Sequence, residues 1–274
     1  MNIQTVYKTI YCETNEHVAT IILDRPTVMN AINRQMALEV LEALTIADTN
    51  EQVKVVVIRG SNGHFSAGVD LKEVYDLPQP IGAEPSEVWR EHLESLLAVS
   101  IKLWELTKPT IAVVEGHALG GAADWVLSTD LALAADTAKI GEPEIQFGAA
   151  PPTLMLPWVV GIRKTKELLF TGDTISAQEA LQYGIYNKVA PTAQLENELT
   201  KLTNKISKIP ASALKLTKKS INKTYELQHL RDALDYNLET SISMFFLKQE
   251  REVAETAQKI REKGLKAFLQ NVSL

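Results

Sequence analysis

KPTIAVVEGHALGGAADWVLSTDLALAADTAKIGEPEIQFGAAPP, residues 108–152, carries the alternation that decides the fold. Thr110 to Val114 is an unbroken apolar run of strand length. Glycines 116, 120 and 121 punctuate the turn after it, and a helix is expected from about Ala122. Leu131 to Ala135 predicts a second buried strand, followed by a loop bearing Pro143 and Glu144. A glycine turn that opens a helix directs free backbone N–H groups, and the positive end of the helix dipole, at whatever lies in front of it. Asp124 in the first helical turn and Glu144 after Pro143 add two carboxylates to the same stretch. These donors and carboxylates are expected to share one active site.

Working outward, the same strand-then-helix order recurs. His17 to Leu23 and Val53 to Arg59 predict strands, the latter with a continuous apolar run, Val55 to Ile58, and so covered on both faces. Between them lie the turn-like DRPTVMN and a helix from about Asn33 to Asp48. GSNGHFSAGVD closes the second strand. Prolines 78, 80 and 85 predict a loop from Asp76 to Pro85, and a helix carrying Trp89, Leu93, Leu97 and Trp104 returns the chain to Lys108. Beyond Pro152 come expected helices at Leu154 to Val160 and Arg163 to Phe170. A third is capped by Ser176 with Glu179 three residues on, Gly184 standing at its end, before a strand IYNKVA. From Leu195 the sequence is helical almost to its end, with breaks expected at Pro210 and at Asn222 to Thr224. The expected architecture is α/β, with a core over residues 1–194 and a helical region over 195–274.

With 274 residues, 45% hydrophobic and 23% charged, the chain can bury a full core. It has no run of eighteen apolar residues and no basic flank with an apolar signal core, so a soluble, cytoplasmic protein is expected. A net charge of −6 argues against general nucleic-acid binding. Cys12 is the lone cysteine and is read as structural. GxGxxG, GxxxxGK[ST] and GxSxG are all missing, and the five histidines show no metal spacing; His117, inside the glycine turn after Val114, is the one whose position keeps it in play. What remains is two glycine-punctuated strand ends, SAGVD at 66–70 and ALGGA at 118–122. If their strands are neighbours, both turns lie at one sheet edge, where two N–H groups could hold a carbonyl that becomes an enolate.

Taken together, LDRPTVMNAIN (23–33), VVVIRGSNGHFSAGVDLKE (55–73), KPTIAVVEGHALGGAADW (108–125), AKIGEPEIQFG (138–148) and LLFTGDTISAQEALQYGIYNKV (168–189) resemble the crotonase, or enoyl-CoA hydratase/isomerase, superfamily. The resemblance implies a spiral of ββα turns with a helical C-terminal trimerisation region, assembled as a homotrimer or a dimer of trimers. It also implies an acyl-CoA thioester substrate, an enolate intermediate, and neither a metal nor a resident cofactor, coenzyme A being part of the substrate. By position, the N–H groups of Val69 and Gly121 match the family's oxyanion hole. Met29, Ala31, Ser66, Ala67 and Asp70 match its CoA pocket, and Asp124 and Glu144 its two acid/base positions.

Hydratases of the family carry glutamate at both of those positions. Asp124 is one methylene shorter, about 1.5 Å, an offset that can cost roughly 10²-fold when a water must be aligned. Where hydratases often hold the catalytic water with a glycine-rich loop, GAAPPTLM (148–155) has Pro151 and Pro152, which have no N–H to donate. Hydration is ranked first and isomerisation next, followed by lyase, decarboxylase or thioesterase chemistry. A non-enzymatic alternative is a basic-face module binding RNA or protein, since Lys201, Lys205, Lys208, Lys215, Lys218, Lys219 and Lys223 lie between Glu198 and Glu226 with no acid among them. Trp125, Met155, Leu156 and Trp158 are candidates for an apolar acyl pocket, with ordinary core packing as the simpler role, and loop 76–92 is expected to contribute to that pocket.

Overall fold

The computed structural model describes residues 3–75, 85–151 and 153–246. In chain order its elements are β1 (Ile3–Val6), β2 (Ile10–Asn15), β3 (Val18–Leu23), α1 (Arg34–Thr49), β4 (Val55–Gly60), α2 (Leu71–Tyr75) and α3 (Pro85–Glu105). Then come β5 (Thr110–Val114), β6 (His117–Leu119), α4 (Gly121–Leu127), β7 (Leu131–Ala135), β8 (Lys139–Gly141), α5 (Leu156–Val160) and α6 (Ile162–Thr171). The chain continues through β9 (Thr174–Ser176), α7 (Ala177–Gln182), β10 (Lys188–Ala190), α8 (Thr192–Ser207), α9 (Ala211–Glu226) and α10 (Leu230–Phe246).

One sheet has the order β1-β2-β3-β4-β5-β7-β10, antiparallel over its first three strands and parallel from β3 onward. A second sheet has the order β6-β8-β9. The chain alternates between them: β5 enters the first sheet, β6 the second, and α4 follows; β7 and β8 repeat the step. The result is the expected spiral of ββα turns.

Strand geometry explains why the central strands are apolar without alternation. Val55, Val57, Ile111, Val113, Leu133 and Ala135 face one way and pack with Leu195 and Leu199 of α8. Val56, Ile58, Ala112, Val114, Ala132 and Ala134 face the other way, into the main core. Helix α8 is therefore the lid of the outer sheet face. Asn33 caps α1 by accepting from Met36 N–H at 2.9 Å, and Ser176 with Glu179 forms the expected capping box.

Several boundaries differ from the sequence expectations. The β1–β2 hairpin and the short strands β6, β8 and β9 were not anticipated, because three- to six-residue segments show too little periodicity. Residues 76–84 of the expected loop lie outside the described residues, but Pro85 already opens α3, so residues 85–92 are helical. The break expected at Asn222 to Thr224 is absent: α9 runs to Glu226. Asn222 is buried and donates to the Trp104 carbonyl at 2.7 Å, so its polarity serves tertiary packing instead of ending the helix. The chain turns at His229, with φ 64°. The helical expectation beyond residue 246 lies outside the described residues. No helix among those described is long and apolar enough to cross a membrane.

Lys218 leaves the basic stretch altogether. It is buried, and its ammonium group donates to the carbonyls of Leu103 and Lys108, each at 3.2 Å, and to Asp130 Oδ2 at 2.8 Å. Asp130 also accepts from Thr110 N–H at 2.7 Å, so one ion pair fastens α9 to the start of β5. Removing one partner of a buried pair strands the other charge. Lys218→Ala is expected to cost about 3 kcal/mol in urea unfolding, against less than about 0.5 kcal/mol for the exposed neighbour Lys219→Ala.

Candidate active site

Because β4 and β5 are parallel neighbours, their C-terminal ends and the turns that follow share one sheet edge. Ser66 N–H donates to His117 O at 2.8 Å, and Leu119 N–H to Ser66 O at 3.1 Å, zipping one turn to the other. Gly68 has φ +89°, and a Cβ there would sit 2.5 Å from Leu119 O. A Cβ on Gly121 would meet Val69 Cγ2 at 3.2 Å, so the two expected oxyanion residues adjoin. Neither of their N–H groups donates to a backbone carbonyl among the described residues. The Gly121 N–H is directed at the Glu144 carboxylate, which makes this donor common to the expected oxyanion position and to the acid beside it.

The other side of SAGVD is laced to the turn before α1. Ala67 N–H donates to Met29 O at 2.9 Å, Ile32 N–H to Gly68 O at 2.7 Å, and Asp70 N–H to Ile32 O at 2.8 Å. Met29, Ala31, Ser66, Ala67 and Asp70 are thereby brought together along one strip next to Val69. Ser66 Oγ accepts from Gly68 N–H at 3.1 Å and fixes the turn. Asp70 is held by Arg25 at 2.8 Å, and Arg25 also donates to Ala31 O at 2.6 Å. Two residues not singled out from sequence hold this strip: Arg25, and the fully buried Asn30, which donates to the carbonyls of Ser61 and His64 at 3.0 and 2.8 Å. Their positions inside DRPTVMN were the available signal.

Asp124 and Glu144 both lie buried against the glycine turn. Asp124 Oδ2 accepts from Thr153 N–H at 3.1 Å, while its Oδ1 is buried without a hydrogen-bond partner. Glu144 stands on a 3-10 turn, Pro143–Phe147, whose exit at Gly148 has φ 71°. Its carboxylate presses on Gly120, where a Cβ would lie 1.9 Å from Glu144 Oε1, and its Oε2 is buried without a partner. Glycine is thus favoured at 120 by its φ of +55°, and a Cβ there would displace the Glu144 carboxylate.

A third carboxyl, Glu142, was not anticipated. It is 1% exposed, neither oxygen has a hydrogen-bond partner, and Ala123, Leu127, Ile140, Leu156, Leu168, Ile175 and Ile185 surround it about a void of roughly 10 Å³. Its signal was the Glu-Pro-Glu order at 142–144.

Burial raises the pKa of all three acids. Desolvation pushes Glu144 up to about 7, opposed by its own N–H and that of Gly121. Asp124 is raised well above the usual carboxylate range, first by burial and then by the Glu144 charge. Glu142 is raised likewise, by burial and then by both neighbouring acids. Glu144 thus titrates near neutrality, while Asp124, against the opposing Thr153 N–H, and Glu142 are shifted toward their protonated forms.

Of the remaining candidates, Leu156 lines the void about Glu142. Trp125 is fully buried, with its indole N–H donating to Leu96 O at 3.3 Å, and Met155 and Leu156 belong to the main core. Trp158 packs edge-on against Tyr225. His117 contributes its carbonyl to the turn, while its ring meets His64, Nδ1 to Nδ1, at 3.3 Å. Burial pushes the Cys12 thiol up to about 12, in keeping with a structural role. No group of three or more His, Cys, Asp or Glu among the described residues is arranged to hold a metal ion.

The sequence and the two-sheet spiral are both matched by known proteins. Residues 13–271 match the family model described as enoyl-CoA hydratase/isomerase, and the chain belongs to that family. A crystal structure of an enoyl-CoA hydratase/isomerase from Xanthobacter autotrophicus Py2 superposes with a TM-score of 0.88 at 32% identity, covering 98% of each chain. A probable enoyl-CoA hydratase of Mycobacterium bovis is 35% identical over 225 residues, 80% of this chain and 83% of that one. A crotonyl-CoA hydratase of Syntrophomonas wolfei is 33% identical over 79% of this chain and 82% of its own length.

Acids whose folded-state pKa is raised bind more protons folded than unfolded, so stability falls as pH climbs above the unfolded value, 4.5 for Glu142. Glu142→Gln keeps the shape and removes that penalty. The variant is expected to be more stable than the parent by about 2 kcal/mol at pH 8, with the gap narrowing toward pH 5; thermal melts across this range measure it.

Proposed function

We propose that the protein hydrates the 2,3 double bond of an enoyl-CoA thioester through an enolate whose oxygen is held by the N–H groups of Val69 and Gly121. The observation that carries this reading is the buried Asp124–Glu144 pair standing directly against the Gly120–Gly121 turn, with Glu144 poised to ionise near neutrality and Asp124 shifted toward its protonated form. The thioester oxygen takes the Gly121 donor as negative charge develops on it, and the freed Glu144 carboxylate becomes a stronger base at that moment. Water adds through oxygen to C3, Glu144 takes its proton, and the same group returns that proton to C2. Asp124, kept neutral by burial, donates a hydrogen bond to the water oxygen and so orients it. The strip Met29, Ala31, Ser66, Ala67 and Asp70 forms the CoA side of the site, Asp70 acting through its Arg25 contact. Coenzyme A enters and leaves as part of substrate and product, and no resident cofactor takes part.

The working assembly in this proposal is a homotrimer or a dimer of trimers. Exposed apolar side chains support it: Ile162 and Phe170 on α6, Leu216 and Ile221 on α9, and Tyr236 on α10. Light scattering on the purified protein should return three or six times the mass of one chain.

The test of the activity is incubation with crotonyl-CoA and a longer 2-enoyl-CoA, following loss of the conjugated absorbance and the product mass. A gain of one water is expected; a 3-enoyl product of unchanged mass would assign isomerisation instead. Glu144→Gln should lower kcat by roughly 10³-fold. The parent's rate should rise with pH through the region near 7 as Glu144 loses its proton, and level off above it.

A further inference from the structure

Three oxygen atoms around the acid pair are buried without hydrogen-bond partners: Asp124 Oδ1, Glu144 Oε2 and Thr153 Oγ1. Thr153 is 1% exposed and follows directly on the two prolines. Its N–H already grips Asp124 Oδ2 at 3.1 Å, and its hydroxyl, three covalent bonds from that nitrogen, is buried without a hydrogen-bond partner. The segment is pinned from behind, since the Pro151 carbonyl accepts from Asn237 Nδ2 and Ser241 Oγ of α10, both at 2.9 Å. A hydroxyl desolvated this completely costs free energy unless something polar meets it.

We propose that Thr153 is a water-holding residue of the active site, its hydroxyl completing with Asp124 and Glu144 a three-point cradle for the water that adds to the substrate. This inference rests on the hydration reading above. Water has two protons and two lone pairs. Glu144 Oε2 accepts one proton, Thr153 Oγ1 accepts the other, and the neutral Asp124 donates to one lone pair. The second lone pair is left free to face C3, and it forms the new C–O bond while the proton on the Glu144 side passes to that carboxylate. The cradle answers the two departures of this sequence together. Prolines 151 and 152 remove backbone donors from the loop, and the short Asp124 is met by a backbone N–H and a hydroxyl presented from the residue that follows them.

The experiment compares Thr153→Val, which keeps the shape and the N–H to Asp124, with Thr153→Ser, which keeps the hydroxyl. Two readouts are taken on parent and variants: hydration of crotonyl-CoA, and exchange of the α-protons of butyryl-CoA with deuterated solvent, which needs Glu144 and the oxyanion donors but no added water. Thr153→Val should lose roughly 10- to 100-fold in hydration kcat with exchange within about twofold of the parent, and Thr153→Ser should recover most of the loss. Hydration by Thr153→Val at the parental rate would overturn the proposal, as would equal losses in both readouts, which mark a merely structural threonine. A parent that exchanges α-protons but never hydrates would instead overturn the hydration reading on which the cradle rests.

Discussion

The structure turns on the contact between Gly120 and the Glu144 carboxylate. A Cβ there would fall 1.9 Å from Glu144 Oε1 and push that carboxylate away, and the backbone takes a φ of +55°, where a side chain is strained. The same residue donates its N–H to Gly141 O at 2.9 Å, linking β6 to the end of β8, from which the 3-10 turn carrying Glu144 departs. Two successive turns of the spiral are thereby drawn together at one point. The point where they meet is the candidate site.

That closeness sets the electrostatics. Asp124, Glu142 and Glu144 are removed from water within reach of one another's charge, so ionising one makes ionising the next harder. The Gly121 N–H favours the Glu144 carboxylate as the Thr153 N–H favours that of Asp124, and Glu144 is left able to act as base near neutral pH beside neighbours shifted toward their protonated forms. Glu142, enclosed by aliphatic side chains, lowers stability in a way packing alone does not require. Loss of stability at a functional site is common where chemistry needs groups that folding would prefer to leave in water.

The C-terminal helices reach this centre indirectly. Lys218 ties α9 to Asp130 at the root of the parallel strands, and Asn237 with Ser241 ties α10 to the Pro151 carbonyl. The second set of bonds bears on the segment whose next described residue is Thr153, the donor to Asp124. The helical region is thus part of the support of the site as well as a surface with apolar side chains left exposed.

The sequence alone determined the parallel core strands, because Val55 to Ile58, Thr110 to Val114 and Leu131 to Ala135 are apolar on both faces and nothing but a covered sheet accepts such runs. It also determined the two glycine turns and the pairing of Asp124 with Glu144, since glycines at strand ends and acids just after them are local patterns. Tertiary structure decided the rest. Glu142 was hidden because a glutamate beside a proline reads as a loop residue until aliphatic side chains from five elements close around it. Lys218 and Asn222 read as surface and breaker because their partners lie 88 and 118 residues away. Thr153 carries no pattern at all; its meaning comes from the carboxylate, 29 residues earlier, to which its N–H donates. Periodicity records which side of an element is buried, while the polar group that a buried atom meets depends on distant segments, and only folding brings those together.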